Sequence, residues 1–278
     1  MTVPVAAEKI FDLGPLPVTN SLLMGWVAVI LVGLLAWRLN RSLSNGAPRG
    51  LQNWMEWLVE QILSYMDQVT GDRVRSRRFL PIIGTLFPLI LLSNWLGLVA
   101  FSFPVLVSHP TEHLPLFRAA TADLNMTLGL ALFSVLLSHI VGFTALGFWK
   151  YGGKFIKLGA FFRAFAAFGK KPLGEATIGV FVALVDMVVG VLEVISEVAK
   201  VISLSLRLFG NIYAGEVLLT IIASLTGKLP PFILPIPFMF LEVLVGLVQA
   251  AVFSILSLVY LSMAVDEPHG AEAGEHAH

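Results

Sequence analysis

Residues 175–225 read EATIGVFVALVDMVVGVLEVISEVAKVISLSLRLFGNIYAGEVLLTIIASL, and no proline interrupts the chain between Pro172 and Pro230. As one continuous helix, the 51 residues would be about 76 Å long at about 1.5 Å per residue. The hydrocarbon core of a bilayer is only about 30 Å thick. Ordinary spans tilt by up to about 40°, and a continuous helix here needs more. The segment is therefore expected to lie steeply tilted, to bend, or to be interrupted. A turn rich in proline (Pro230, Pro231, Pro235, Pro237) leads into a second long apolar run over 230–263. Together the two runs predict a hairpin of unusually long helices.

The composition says what surrounds that hairpin. Hydrophobic residues make up 57% of the chain and charged residues 13%, with a mean hydropathy of +0.85. An average soluble domain is about a quarter charged, so this chain cannot cover its surface for water. It reads as an integral membrane protein. Eighteen basic residues balance eighteen acidic ones, and there is no cysteine. Net charge therefore gives no sign of nucleic-acid binding, and thiolate metal sites, disulfides and cysteine nucleophiles are excluded.

Working outward, Ser21 to Trp37 is the first apolar run, which Arg38 and Arg41 are expected to stop. Over 50–70, Leu51, Trp54, Met55, Leu58, Ile62 and Tyr65 recur at helical spacing among Glu56, Glu60 and Asp67. That pattern predicts an amphipathic surface helix. Phe79 to Phe103 and Leu124 to Trp149 are two further spans, and 264–278 reads as a flexible tail. The whole of 1–278 is expected to be one membrane domain. The N-terminus has neither the basic start of a signal peptide nor the Arg/Ser-rich character of a transit peptide. The chain is expected to be unprocessed, which favours a bacterial cell membrane over an organelle.

Basic residues set the sides. Seven arginines fall in 38–78 and six basic residues in 149–172, whereas 104–123 has only Arg118. The positive-inside rule puts the two basic connections in the cytoplasm and residues 1–20 and 104–123 outside. The C-terminus then falls in the cytoplasm.

The long hairpin also carries charge: Asp186, Glu193, Glu197, Lys200, Arg207 and Glu216 on its first arm, with Glu242 and Gln249 on its second. Each ionisable group at bilayer depth costs at least about 2.5–3.5 kcal/mol. A salt-bridged face would account for some of them, with Glu193 or Glu197 paired to Lys200. No such account covers Arg207, whose neighbours one turn away are Ser203 and Asn211. An arginine stays charged at any relevant pH, so its counter-charge is expected from elsewhere, such as another chain. At about 100° per residue, Asn211, Lys200, Glu193 and Asp186 share the side of Arg207, while Glu216 falls opposite. Glu242 and Gln249, seven apart, share a face of the second arm. Carboxylates on two surfaces, parted by a fixed cation, suggest two polar pathways that do not join.

The string Ser203-Leu-Ser-Leu-Arg207-Leu-Phe-Gly-Asn211-Ile-Tyr-Ala-Gly-Glu216 closely resembles the signature of subunit a of the F-type rotary ATP synthase membrane sector, the ATPase subunit 6 family. Three pieces agree with it: Leu192-Glu-Val-Ile-Ser-Glu-Val-Ala-Lys-Val-Ile just upstream, Thr121-Ala-Asp123-Leu-Asn125-Met-Thr opening the third span, and Gln249-Ala-Ala-Val-Phe in the last run. The resemblance covers about residues 75–265 in order and spacing. It implies that Arg207 is the essential arginine facing a rotating ring of c subunits, with Asn211 and Gln249 as polar companions. It further implies that Glu216 is a relay group of one half-channel and that Glu193 and Asp123 line polar paths. Some bacterial members have His where this chain has Glu242, so a His-based relay there is excluded. No role carries over to Asp186 or Glu197.

The implied partners are the c-ring, the b subunit of the peripheral stalk, the rest of the complex and the lipid bilayer, with no nucleic acid and no cofactor. The chain is not expected to be an enzyme by itself. It has no G-x-x-x-x-G-K-[ST] phosphate loop and no G-x-S-x-G nucleophile motif. His109-Pro-Thr-Glu112-His113 fits a zinc-protease spacing, but Pro110 and Pro115 bracket it and no metal site is expected. His269, His276 and His278 lie in the tail. The rival readings are a self-contained secondary ion transporter, which predicts internal repeats that are not visible, and a membrane scaffold of buried salt bridges.

Overall fold

The computed structural model describes residues 4–42, 50–103, 105–108, 113–147, 151–152, 173–225 and 233–266. The chain forms an all-α membrane fold, in which six α-helices are found among the described residues. Five of them are long and apolar enough to cross a bilayer.

The N-terminal segment opens with a small antiparallel hairpin, β1 (Lys9–Leu13) and β2 (Leu16–Thr19), joined through Gly14-Pro15. A second hairpin pairs β3 (Leu106–Ser108) with β4 (His113–Pro115). The sequence reading expected neither. Strands of three to five residues are too short to show an alternating pattern of their own.

Helix α1 (Asn20–Ser42) starts where Thr19 Oγ1 accepts from Leu22 N at 3.3 Å, the usual N-cap arrangement. The helix itself extends beyond the apolar run that ends at Trp37. It runs on through Arg41, whose guanidinium lies 4.1 Å from the centre of the Trp37 ring. A long basic side chain can fold its stem along an apolar surface and keep its charge at the edge. The apolar run and the helix therefore end at different residues.

The amphipathic helix α2 (Leu51–Thr70) is latched to the start of α3 (Arg73–Ser102). Arg73 reaches Asp67 at 2.6 Å and Glu60 at 2.6 Å. Asp72 caps α3 by accepting from Val74 N at 2.9 Å. Phe79, Ile83, Leu86 and Ile90 of α3 are buried at helical spacing, and α1 and α2 both pack on this helix. A short 3₁₀ turn (Ala120–Ala122) leads into α4 (Leu124–Leu146).

Helix α5 (Leu173–Ser224) is unbroken over 52 residues. Of the three expectations for this segment, interruption is excluded. Helix α6 (Ile236–Val265) forms the second arm. Pro230 and Pro231, most of the 149–172 connection, and the tail from residue 267 with its three histidines lie outside the described residues.

The fold divides into two compact units. One holds the described chain up to Ala131 together with Leu204–Val259. The other holds the described parts of Leu132–Ser203 and of the chain from Tyr260. The first has its core in Ile90, Leu204, Leu208, Leu219, Phe253 and Leu258, all essentially inaccessible. Outward-facing apolar side chains such as Leu206, Ile221 and Phe240 are exposed, as expected where the neighbour is lipid.

One close approach fixes the way α3 meets the 3₁₀ turn. A Cβ at Gly97 would collide with the Ala119 side chain and lie 3.1 Å from its Cα. Gly97→Val should therefore overpack this contact and cost about 1–3 kcal/mol, read as a lower unfolding temperature of the detergent-solubilised protein. Gly84→Ala, whose Cβ would meet only Leu80 at an ordinary 3.7 Å, should not lower that temperature, since alanine is the better residue inside a helix.

Candidate functional site

Arg207 and Glu216 are nine residues apart on α5, two and a half turns, so their side chains leave opposite sides of the helix. Arg207 is exposed, beside the exposed apolar side chains of Ile202 and Leu206. Among the described residues no acidic side chain pairs with it. It stands as a fixed positive charge between the exposed polar side chains of Ser203 and Asn211, one turn away on either side.

One turn further along α5, Asn211 Nδ2 donates to Gln249 Oε1 of α6 at 2.6 Å. Gln249 is buried, so this bond ties the two arms of the hairpin together just beside Arg207. The sequence reading named both residues, and the structure brings them into contact.

On the opposite side, Glu216 meets Arg118. The Arg118 Nε donates to Glu216 Oε2 at 3.1 Å, with the arginine side chain 4% and the glutamate 22% exposed. Arg118 Nη1 also donates to the carbonyl of Ala6 at 3.1 Å, and the guanidinium lies 5.8 Å from the centre of the Tyr213 ring. Its Nη2 is buried with no hydrogen-bond partner among the described residues. Glu242 comes from α6 to the same stretch of α5. Its carboxyl packs on the backbone at Gly215, where any Cβ would collide with it. The missing Cβ of Gly215 thus leaves room for the Glu242 carboxyl, and a larger residue there would push that carboxyl aside. Glu242 Oε1 is likewise buried without a partner. Buried polar atoms are rarely left unpaired, so these two mark a polar locus in the protein rather than ordinary core.

Asp123 is buried and committed locally. Its Oδ1 accepts from Asn125 N at 2.9 Å, capping α4, and its Oδ2 accepts from Ser21 Oγ at 2.7 Å. Thr121 Oγ1 donates to Asn94 Oδ1 at 2.6 Å, while Asn94 Nδ2 donates to the Gly246 carbonyl at 3.0 Å. Trp95 Nε1 donates to the Val243 carbonyl at 3.2 Å. These bonds hold α3 against the part of α6 that carries Glu242.

The second unit has its own charged cluster. Lys200 Nζ contacts Glu197 Oε1 at 2.6 Å and lies over the Tyr260 ring at 5.2 Å. The spacing had left Glu193 or Glu197 as its partner, and the structure gives Glu197. His139 Nε2 stands 3.6 Å from Glu197 Oε2, an ion pair whenever the imidazole is protonated. His139 Nδ1 hydrogen-bonds the Tyr151 hydroxyl at 2.8 Å. Burial, with the carboxylates of Glu197 and then Glu193, pushes the Tyr151 phenol up to about 12. Asp186 is half-buried. Of the His109/Glu112/His113 spacing, His109 and Glu112 lie outside the described residues.

Arg118, His139 and Tyr151 were not singled out as site residues from sequence. For Arg118 a signal existed: it is the one lysine or arginine in the stretch from 104 to 123. Arg118→Met should leave Glu216 without its counter-charge and cost about 3–5 kcal/mol. The Arg118→Met/Glu216→Met double variant should recover most of that loss. A double-mutant cycle on the unfolding temperature reads the coupling, and additive effects would show that the pair is not a unit.

The ATP synthase A chain family profile matches residues 22–262. The chain is 34% identical to ATP synthase subunit a of Priestia megaterium, over 90% of this chain and 93% of that one. It is 30% identical to ATP synthase subunit a of Moorella thermoacetica, over 93% and 96%. For the Mycobacterium tuberculosis ATP synthase subunit a the identity is 32%, over 89% and 87%. The match runs through both arms of the hairpin and takes in Arg118, Arg207, Glu216 and Glu242 alike, and the chain belongs to the ATP synthase A chain family.

Proposed function

We propose that the chain is the proton-translocating stator subunit of a rotary ATP synthase, with Arg207 as the charge that couples proton movement to rotation. One observation carries this reading: an exposed arginine on α5 with no acidic partner among the described residues, and a separate polar group behind it at Glu216, Glu242 and Arg118. A buried cation in lipid needs an anionic partner, and the exposed position of Arg207 suits a partner supplied by another chain.

The chemistry follows from the cost of charge in low dielectric. A ring carboxylate facing lipid is stable only when neutral. Beside Arg207 its anionic form becomes favourable, so the proton leaves through one half-channel. Rotation carries the carboxylate past the cation, and a proton from the other half-channel neutralises it again. The fixed charge of Arg207 also opposes direct passage of protons between the two paths. Each charge crossing the membrane contributes about 2.3 kcal/mol per 100 mV, and several crossings sum to one ATP.

Glu216 and Glu242 serve as the relay of one half-channel, with Asn211 and Gln249 holding the hairpin rigid beside Arg207. Glu193 lines the other path, and Asp123 anchors the corner between α1 and α4. The excess of basic residues in 38–78 and 149–172 favours an outer side for the two β-hairpins and a cytoplasmic C-terminus. A straight helix of about 78 Å fits a hydrocarbon core of about 30 Å only if inclined by more than about 60°. That inclination would lay the Arg207 face of α5 along the path of a c-ring. The b subunit of the peripheral stalk would hold the chain against rotation, in a bacterial cell membrane.

Arg207→Ala in the assembled complex is the direct test. ATP-driven proton uptake into vesicles should fall to background while the chain still co-purifies with its complex. Normal uptake would remove Arg207 from the coupling role and favour a self-contained transporter; loss of assembly with uptake preserved per complex would favour a scaffold.

A further inference from the structure

We infer that His139 of α4 is a proton-carrying residue of the second path, the one lined by Glu193, with Glu197 as the counter-charge of its imidazolium and Tyr151 as the hydroxyl that orients its ring. The inference rests on the two-path reading above and names the side chain that loads and unloads the proton there.

Three helices of the second unit converge on this residue. His139 Nδ1 hydrogen-bonds the Tyr151 hydroxyl at 2.8 Å, and its Nε2 stands 3.6 Å from Glu197 Oε2 of α5. Each ring nitrogen therefore faces its own partner, a hydroxyl on one side and a carboxylate on the other. Tyr151 is buried, its ring edge-on to Phe143 and laid against α4 where Gly142 has no Cβ to obstruct it. The other oxygen of Glu197 is held by Lys200 Nζ at 2.6 Å, and Lys200 lies over the Tyr260 ring of α6. Glu193 is one turn earlier on α5, half-buried on the same side as Glu197. Among the described residues, the ring thus meets Glu197 with Lys200 beyond it on one side and Tyr151 on the other.

A lysine alone satisfies Glu197 as a structural ion pair. The histidine contact is of another kind, because an imidazole changes charge near neutral pH. At 3.6 Å it is longer than a hydrogen bond, so a neutral ring is not tied to Glu197, whereas a protonated one is drawn to it. Glu197 offsets the cost of an imidazolium where water is scarce. Lys200 competes for the same carboxylate, so the loaded ring is held without being trapped. The proton comes and goes at Nδ1. Burial, with the carboxylates of Glu197 and Glu193, pushes the Tyr151 phenol up to about 12. It therefore stays protonated and donates to Nδ1 of the neutral ring, which leaves the ring hydrogen on Nε2 facing Glu197. On loading, the phenol proton passes to Nδ1 and the phenol oxygen takes a replacement from a hydronium ion in the path. One N–H bond forms, the hydronium becomes water, and the phenol ends as it began; unloading is the reverse.

The test is His139→Gln and His139→Ala in the assembled complex, in vesicles made leaky with an uncoupler, where each ATP hydrolysed still drives protons through both paths. Glutamine keeps a polar side chain between Tyr151 and Glu197 and removes only the titrating ring. Both variants should hydrolyse ATP several-fold more slowly than the parent. Added imidazole should restore the His139→Ala rate in proportion to its concentration and leave the parent unchanged. Thr144→Ala, at an exposed position further along α4, should change nothing. A His139→Gln complex as fast as the parent overturns the inference, because a polar contact then suffices. A slow His139→Ala complex that imidazole does not accelerate overturns it too, as does loss of the chain from the purified complex in both variants, which would make His139 a structural anchor. Failure of the coupling reading looks different: Arg207→Ala would then pump normally whatever the His139 variants do.

Discussion

A guanidinium that cannot be neutralised has to find an anion wherever water is excluded, and this fold solves that problem twice in opposite ways. Arg118 is sunk into the protein and given Glu216, a backbone carbonyl and an aromatic face. Arg207 has no acidic partner among the described residues. Both dispositions hang on α5, since a helix turns half a revolution between residues 207 and 216 and so offers one charge inward and the other outward. The rest of the first unit serves to keep that helix from rolling: a roll of half a turn would bury the unpaired charge and expose the pair.

What prevents the roll is polar as much as apolar. Between apolar helices in lipid there is little hydrophobic force, and close packing with interhelical hydrogen bonds takes its place. Asn211 to Gln249 locks α5 to α6. Asn94 and Trp95 lock α3 to carbonyls of α6. Thr127 and Ser205 hydroxyls meet at 3.2 Å between α4 and α5. Each of these bonds lies in the first unit, around the stretch of α5 from Ser205 to Glu216. Glycine completes the arrangement at residue 215, where the missing Cβ leaves room for the Glu242 carboxyl.

The parts legible from sequence are those that depend on neighbours along the chain. Long apolar runs and their basic flanks gave the spans, and the i,i+3 spacing made the Glu197–Lys200 pair one of two readable options. The Arg-Leu-Phe-Gly-Asn string marked Arg207 and Asn211. What stayed hidden depends on separation: Arg118 and Glu216 are 98 residues apart, and nothing in local spacing joins them. Helix ends were hidden for another reason. Arg38 and Arg41 look like stops on a hydropathy scale, yet a guanidinium over Trp37 lets α1 continue. The hairpins at 9–19 and 106–115 have too few residues for any periodicity to rise above chance.

The unbroken backbone of α5 also bears on what kind of transport this fold suits. Secondary transporters commonly hold their ions at interrupted helices, where freed carbonyls and helix ends become ligands. Here α5 and α6 keep their hydrogen-bond ladders through the whole charged region, so main-chain carbonyls are already occupied. In the proposed reading, charge is carried by side chains, one carboxyl at a time. A proton suits that arrangement, because a single oxygen lone pair holds it and the carrier becomes neutral on binding it. The membrane then imposes no cost on the loaded carrier, and the remaining requirement is a fixed cation to force the proton off again at one point of the cycle. In the coupling role proposed for it, Arg207 on the exposed side of α5 meets that requirement.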